Sequence, residues 1–537
     1  MERPLGRREI LESAFGIGVG VSLAGCSDTD DAPDDDEDRN WVTSDALNDD
    51  WVEGQFRPAY HFTPEQGWMN DPNGMVYYDG QYHLFFQYNP DGTQWANIQW
   101  GHATSDDLVS WEEHGVKLPY EDGIHQFSGG AVVDEENTAG FGTDALVLSY
   151  TGHHDGTEVQ DQRIAYSTDN GETVTKYVDN PVIDSDIGEF RDPNVFRYEP
   201  DDRWIMAVSR VHTAPDRPAG IEFYSSDDHV EWTYESTYEV KNTHDADLWE
   251  CPDLFELPVD GGDDSRWVLT VSVDHDREDH HIGHFDGTSF SLDRREVADH
   301  GFDFYAAMSW ANDPEERRLL LAWMNNWPYA GEIPGPGWRG AQTFPRRLTL
   351  VDDGAGPELR QRPAPALDTI RGTRLAQITD EPLAPDSDPL ADADVTGRCI
   401  EVDALIQPDD ASEVGVRVRE SSDGDQYTAV SYQPVGSLLR FDRRESGAFF
   451  DDATYGERSV TLDPLPDGSI RLRLLVDRSS VELFANDGRL TMSNLVFPDW
   501  ESTGVSLFTT GGTATLVELT VDELCLPVAE PGDTQPA

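Results

Sequence analysis

A unit of about sixty residues recurs five times along this chain, and that limits its possible folds more than any other feature. The copies are Asn70–Tyr88, Phe127–Thr151, Phe190–Ser209, Glu250–Val273 and Asp303–Trp323. Their start-to-start spacings are 57, 63, 60 and 53 residues. Each copy opens on a short polar-apolar segment, turns, and enters a second apolar run. A third element follows in three of them: Ser105-Asp106…Trp111, Ser167-Thr168-Asp169 and Ser226-Asp227…Trp232. Long helical periodicity is nearly absent, and the short runs are bounded by Gly, Asp and Asn, the signature of strands and turns. Units too small to hold a core alone must pack on one another. Five copies of a four-stranded unit predict an all-β chain whose first domain is a five-bladed β-propeller, since radial closure protects sheet edges. The chain's 537 residues leave room for a second domain, and its 15 Trp exclude a wholly disordered chain.

In a propeller the first strand of each blade lines the central axis, so the strand starts converge at one mouth. Here those positions are Asp71, Ser128, Asp192, Glu250 and Tyr305. Three are carboxylates from separate copies. Like charges gathered on one axis repel, and that cost marks functional sites. Two chemistries stay open at this point. Carboxylates without histidine suit Ca²⁺. Carboxylates among Trp, Phe and Tyr suit sugar rings and glycoside chemistry. The aromatic surroundings favour the second.

Lys+Arg is 38 against Asp+Glu 105, a formal charge of −67. That argues against nucleic acid as a partner, because phosphate contacts need basic groups. Such a chain repels itself unless salt screens it, and the acid is spread along its whole length; the reading is adaptation to high salt. Residues 1–26 read as a twin-arginine-like signal with a lipobox: Arg7-Arg8, an apolar run from Ile10 to Ala24, then Leu23-Ala24-Gly25-Cys26. Cys26 is the expected lipidation site, which places the protein outside the cell, anchored to the outer face of the membrane only through that lipid. Residues 27–55 are an acidic tether without core-forming residues. The odd count after Cys26 (Cys251, Cys399, Cys525) argues against a disulfide framework and leaves a Cys399–Cys525 pairing open. No Cys/His cluster has zinc spacing, and neither a metal nor a cofactor is expected.

At the strand starts the chain resembles glycoside hydrolase family 32, the invertase, levanase and inulinase group. The motifs are Trp68-Met69-Asn70-Asp71-Pro72-Asn73-Gly74, Phe190-Arg191-Asp192-Pro193 and Glu250-Cys251-Pro252-Asp253. Trp100-Gly101-His102-Ala103, Phe127-Ser128-Gly129, Asp303-Phe304-Tyr305-Ala306, Trp338-Arg339-Gly340 and Val476–Phe484 also fit. The resemblance implies a propeller over residues 56–355 and a C-terminal β-sandwich over 366–527, joined near Asp352–Pro365. It implies Asp71 as nucleophile, Glu250 as general acid/base and Asp192 as transition-state stabiliser. Trp68, Asn70, Gln87, Trp95, Phe127, Ser128, Arg191, Tyr305 and Trp327 are carried over as substrate contacts. The implied activity is retaining hydrolysis of β-fructofuranosides (sucrose, inulin or levan) through a covalent fructosyl intermediate. A fructosyltransferase of the same fold and a non-catalytic fructan-binding lipoprotein are the alternatives. The charge of Asp71 is expected to keep Glu250 protonated. Gly130 departs from the family's usual Ser. Loops Asp274–His281 and Tyr329–Trp338 are expected to shape the mouth.

Overall fold

The computed structural model describes residues 54–525, apart from 185–187, 211–218, 240–247, 386, 392, 394 and 448–451. The signal, Cys26 and most of the tether lie outside the described residues. Within them the chain is nearly all β; the helices are two four-residue turns, Leu367–Ile370 and Asp452–Tyr455, and one short 3-10 turn. No described helix is long and apolar enough to cross a membrane.

Five sheets, antiparallel except for one added strand, come first, with inner strands Gly67–Tyr78, Ile124–Asp134, Phe190–Tyr198, Trp249–Pro258 and Tyr305–Ser309. Each inner strand contacts the next, and the fifth contacts the first, so the strands close a ring. Sequence follows position in this ring. The second strand of a sheet is covered on both faces, as Ala145–His154 is, and reads as a continuous apolar run. Outer strands such as Phe290–Val297 are mostly exposed and correspondingly polar. Tight turns join them: Asp79 and Gly80 both have positive φ, the conformation that two-residue hairpins require. The recurring Ser-Asp elements are turns too. Ser105, Ser167 and Ser226 donate to Asp107, Asp169 and Asp228, and each aspartate accepts backbone amides further on.

A parallel pairing seals the ring: Trp338–Arg339 adds to the first inner strand in register Gly67↔Trp338. Gly340 allows it, because a Cβ there would lie 2.1 Å from the Met69 carbonyl oxygen. The expected mouth loop Tyr329–Trp338 is half buried, with Tyr329, Ala330, Ile333 and Trp338 covered and Glu332, Pro336 and Gly337 exposed. The expected linker Asp352–Pro365 carries the strand Glu358–Pro363, which completes the fifth sheet.

A six-stranded and a five-stranded sheet follow, packed over an aliphatic core that includes Val402, Leu472, Val416 and Leu507. A propeller followed by a sandwich is the expected fold class. A shared apolar cluster joins the two parts, with Leu475, Phe484 and Leu524 against Met308, Trp310 and Phe344. Two fully buried cations cross the same seam. Arg346 meets Asp299 at 2.9 Å and Glu482 at 3.6 Å. Arg443 meets Asp303 at 2.8 Å. The segment before the first sheet is tied down by Asp477, which accepts the Ala59 and Tyr60 amides and faces His61 Nδ1 at 2.8 Å. Cys251, Cys399 and Cys525 are free thiols.

Candidate active site

The candidate site is built from one irregularity repeated in all five inner strands. Each loses register with its neighbour near its start: between Met69 and Pro72, Phe127 and Gly129, Arg191 and Asn194, Glu250 and Asp253, and Tyr305 and Met308. Bulges add residues that the partner strand does not match, bending the strand and re-aiming side chains. The unmatched residues include Asp71, Ser128, Asp192 and Cys251. Asp192, Cys251 and Ala306 have positive φ of 64°, 49° and 55°. For residues with a Cβ that costs roughly 1–2 kcal/mol each, a strain that the closed ring holds in place. Gly129 answers a tighter constraint, since its Cβ would fall 2.0 Å from the Ser149 carbonyl oxygen. At Gly130 the nearest atom to a Cβ is Asn194 Nδ2 at 3.4 Å, so this departure from the family pattern leaves the strand undisturbed.

The three carboxylates meet at Cys251. Its Sγ lies 3.7 Å from Asp71 Oδ2 and 3.6 Å from Asp192 Oδ2, its amide donates to Asp192 Oδ2 at 3.0 Å, and Glu250 precedes it. Ser128 Oγ donates to Asp71 Oδ2 at 2.6 Å, and Asn70 Nδ2 to Oδ1 at 3.0 Å. Trp68 Nε1 in turn holds Asn70 at 2.8 Å. Arg191 Nε donates to Glu250 Oε1 at 2.8 Å, and its other arm reaches Glu189 and Gln160. Tyr305 donates its hydroxyl to Glu250 Oε2 at 2.5 Å. Gln87 is buried opposite the Asn70-Asp71 bulge and donates to the Gln126 carbonyl. The aromatic residues form the walls. Trp327 stacks on Trp68 at 6.3 Å, Trp95 on His125 at 5.6 Å, and Phe127 on His153 at 4.6 Å. The twelve residues expected at the site are thus brought together, with Trp68, Tyr305, Asn70, Gln87 and Ser128 the most buried.

The charge balance differs from the sequence expectation. Burial raises Asp71, hydrogen bonds from Ser128 and Asn70 pull it back, and it ends at about 6. Asp192 is pushed up to about 7 by burial, against the pull of Arg191 and with the charges of Glu250 and Asp71. Burial also raises Glu250, but Arg191, His275 and Tyr305 outweigh it and leave it below the ordinary carboxylate range. Asp71 was expected to keep Glu250 protonated; the Arg191 guanidinium, 2.8 Å from Oε1, acts the other way and favours the carboxylate. Such groups titrate as a set.

Three participants were not legible beforehand. The Cys251 amide reaches Asp192 only because of the bulge. His275, at the tip of the hairpin between Ser265–Val273 and Arg277–Phe285, puts Nδ1 3.9 Å from Glu250 Oε2. Glu278 is fully buried, accepts from Ser272 Oγ at 2.8 Å, and is raised well above the ordinary range by burial. The one available signal was the run Asp274–His281, expected to be a mouth loop. Only its first three residues form the turn; Arg277 onward is strand.

No group of three or more His, Cys, Asp or Glu among the described residues is arranged to hold a metal ion. The family models described as "Glycosyl hydrolases family 32 N-terminal domain" and "Glycosyl hydrolases family 32 C terminal" match residues 61–363 and 366–523. A levanase of Bacillus subtilis (strain 168) is 41% identical over 505 residues, covering 90% of this chain and 72% of that protein. An extracellular exo-inulinase of Aspergillus ficuum is 35% identical over 519 residues, covering 87% and 94%. The crystal structure of exo-inulinase from Aspergillus awamori superposes with a TM-score of 0.81 at 33% identity, covering 87% of this chain and 98% of that one.

Proposed function

Since the chain belongs to glycosyl hydrolase family 32, a family of glycosidases acting on fructans or sucrose, we propose that it releases fructose with retention, through a covalent fructosyl-enzyme intermediate. The observation that carries this reading is the meeting of Asp71, Asp192 and Glu250, from three different sheets, around Cys251. Asp71 attacks the anomeric carbon of the terminal fructosyl unit. With its carboxyl at about 6 it is ionised at neutral pH, and Ser128 and Asn70 fix its direction. Glu250 gives a proton to the leaving oxygen, then takes one from the water that frees the sugar. Arg191 and Tyr305 favour its carboxylate, the form needed for the second step. For the first step Glu250 has to carry a proton. Binding of a sugar ring displaces water and changes this balance. Asp192 binds sugar hydroxyls with contacts that tighten in the transition state. Trp68, Trp95, Phe127 and Trp327 give the ring apolar surface.

Fructan is the favoured substrate, by likeness to the levanase and the exo-inulinases. The test is fructose release from levan, inulin and sucrose by residues 40–537 in molar salt and in dilute buffer. Release from at least one substrate is expected, with activity and folding weaker in dilute buffer. At −67 the folded chain repels itself, and the screening length shortens from about 10 Å at 0.1 M to about 3 Å at 1 M. Equal stability in both buffers would sink the salt adaptation. No release from any of the three would sink the activity.

The extracellular relatives support export, and we propose Cys26 as the lipid anchor. Cys26→Ser is expected to move the protein from the membrane fraction to the medium; an unchanged distribution would exclude the anchor.

A further inference from the structure

We propose that His275 is a positioning residue for Glu250, setting together with Arg191 the pH at which that carboxyl gives up its proton. The inference rests on the functional reading above, in which Glu250 is the acid/base. Glu250 is gripped on three sides. Arg191 takes Oε1 at 2.8 Å and Tyr305 takes Oε2 at 2.5 Å. His275 Nδ1 faces Oε2 from the mouth at 3.9 Å. That nitrogen is shielded from solvent and has no hydrogen-bond partner. A buried polar atom left without a partner is costly, which makes its orientation informative.

The backbone explains the aim. Asp274 and His275 have φ of 49° and 74°, the left-handed pair of a tight hairpin turn, without glycine at either position. The turn is tethered at both sides: Trp327 N donates to the His275 carbonyl at 3.1 Å, and Leu248 N to Asp274 Oδ1 at 3.0 Å. A turn locked in this way fixes the backbone from which the imidazole, its side chain 42% exposed, turns Nδ1 toward the carboxylate.

Several other charged groups bear on His275. Asp274 and Asp276 flank it, and Arg277 follows at the foot of the strand. Arg458, from the sandwich strand Glu457–Thr461, acts on Asp276 together with Arg277. Beyond Glu250 stands Arg191. A ring that is cationic, or neutral with its proton on Nδ1, favours the ionised form of Glu250, and His275 is among the groups that depress that carboxyl, after Arg191.

The experiment compares wild type, His275→Asn and His275→Asp by kcat/KM for fructose release against pH, on the best wild-type substrate. Asn and Asp both tolerate the left-handed backbone, so the turn is kept. The productive form has Asp71 ionised and Glu250 protonated, and because Glu250 lies below Asp71 in the free enzyme, the lower break of the profile, its acid limb, reports Glu250. That limb is expected to rise from wild type to Asn and again from Asn to Asp, by roughly 0.5–1 pH unit per step, with unchanged thermal midpoints. Superimposable profiles, or any other order of the limbs, overturn the proposal. A wild type that releases no fructose overturns the functional reading instead.

Discussion

Asp71→Asn is expected to abolish fructose release, by about 10⁴-fold or more, while the protein stays folded. The amide matches the carboxyl in shape and still accepts from Ser128, so the pocket geometry is kept. It lacks the charge and the nucleophilic oxygen that would form the fructosyl ester. Glu250→Gln is expected to lose roughly 10²–10⁴-fold, the usual worth of a general acid/base. Wild-type activity also has a predicted pH profile. The productive form needs ionised Asp71 and protonated Glu250, and with Glu250 below Asp71, which sits at about 6, kcat/KM is expected to fall at pH below the Glu250 break and again above about 6. An Asp71→Asn protein within tenfold of wild type, shown folded by its thermal transition, would end the covalent reading.

Arg443→Met is expected to destabilise the protein by about 3–5 kcal/mol. The guanidinium is fully buried between propeller and sandwich. Its Nη1 donates to Asp303 Oδ2 at 2.8 Å and to the Leu495 carbonyl at 2.7 Å, Nη2 to the Tyr329 hydroxyl at 3.0 Å, and Nε to the Tyr455 carbonyl at 2.8 Å. Its face lies 4.5 Å from the Phe302 ring centroid. Methionine keeps much of the volume but leaves Asp303 as a buried charge without its cation. The larger share of the loss is thus expected to come from the orphaned carboxylate. Asp303→Asn in the Arg443→Met background should recover part of it, because the neutral amide can still accept from the Leu495 amide through its oxygen and donate to the Tyr329 hydroxyl through its nitrogen. Chemical denaturation of the two single variants and the double variant checks this. Additive losses would show that the pair does not act as a unit.

The seam and the site were legible to different extents. The order WMNDPNG, FRDP and ECPD marked the three carboxylates, and the strand starts placed them at one mouth. Asp303 was visible only as part of the motif leading into Tyr305. Nothing in its neighbourhood announced a partner 140 residues away in Arg443. Arg191 was expected as a substrate contact; its grip on Glu250 and Glu189, which favours the carboxylate of Glu250, was not apparent. The loop Asp274–His281 was marked for its position, but its shortness as a turn, and hence the direction of His275, was not apparent.

The division has a physical basis. Alternation of apolar and polar residues, the Gly and Asp turns and the sixty-residue period are local properties, and they determine by themselves an all-β chain of repeated sheets with chosen carboxylates at the strand starts. Bulges, left-handed backbone at residues with a Cβ, and buried ion pairs are disfavoured locally. Asp192, Cys251, Ala306 and His275 adopt such backbones only because neighbouring strands impose them. The pairings of Arg191 with Glu250, Arg346 with Asp299 and Arg443 with Asp303 exist only once the ring has closed and the sandwich has docked. Which carboxylates are drawn together was therefore written in the chain. Which cations and donors face them was decided by the contacts that the tertiary structure creates.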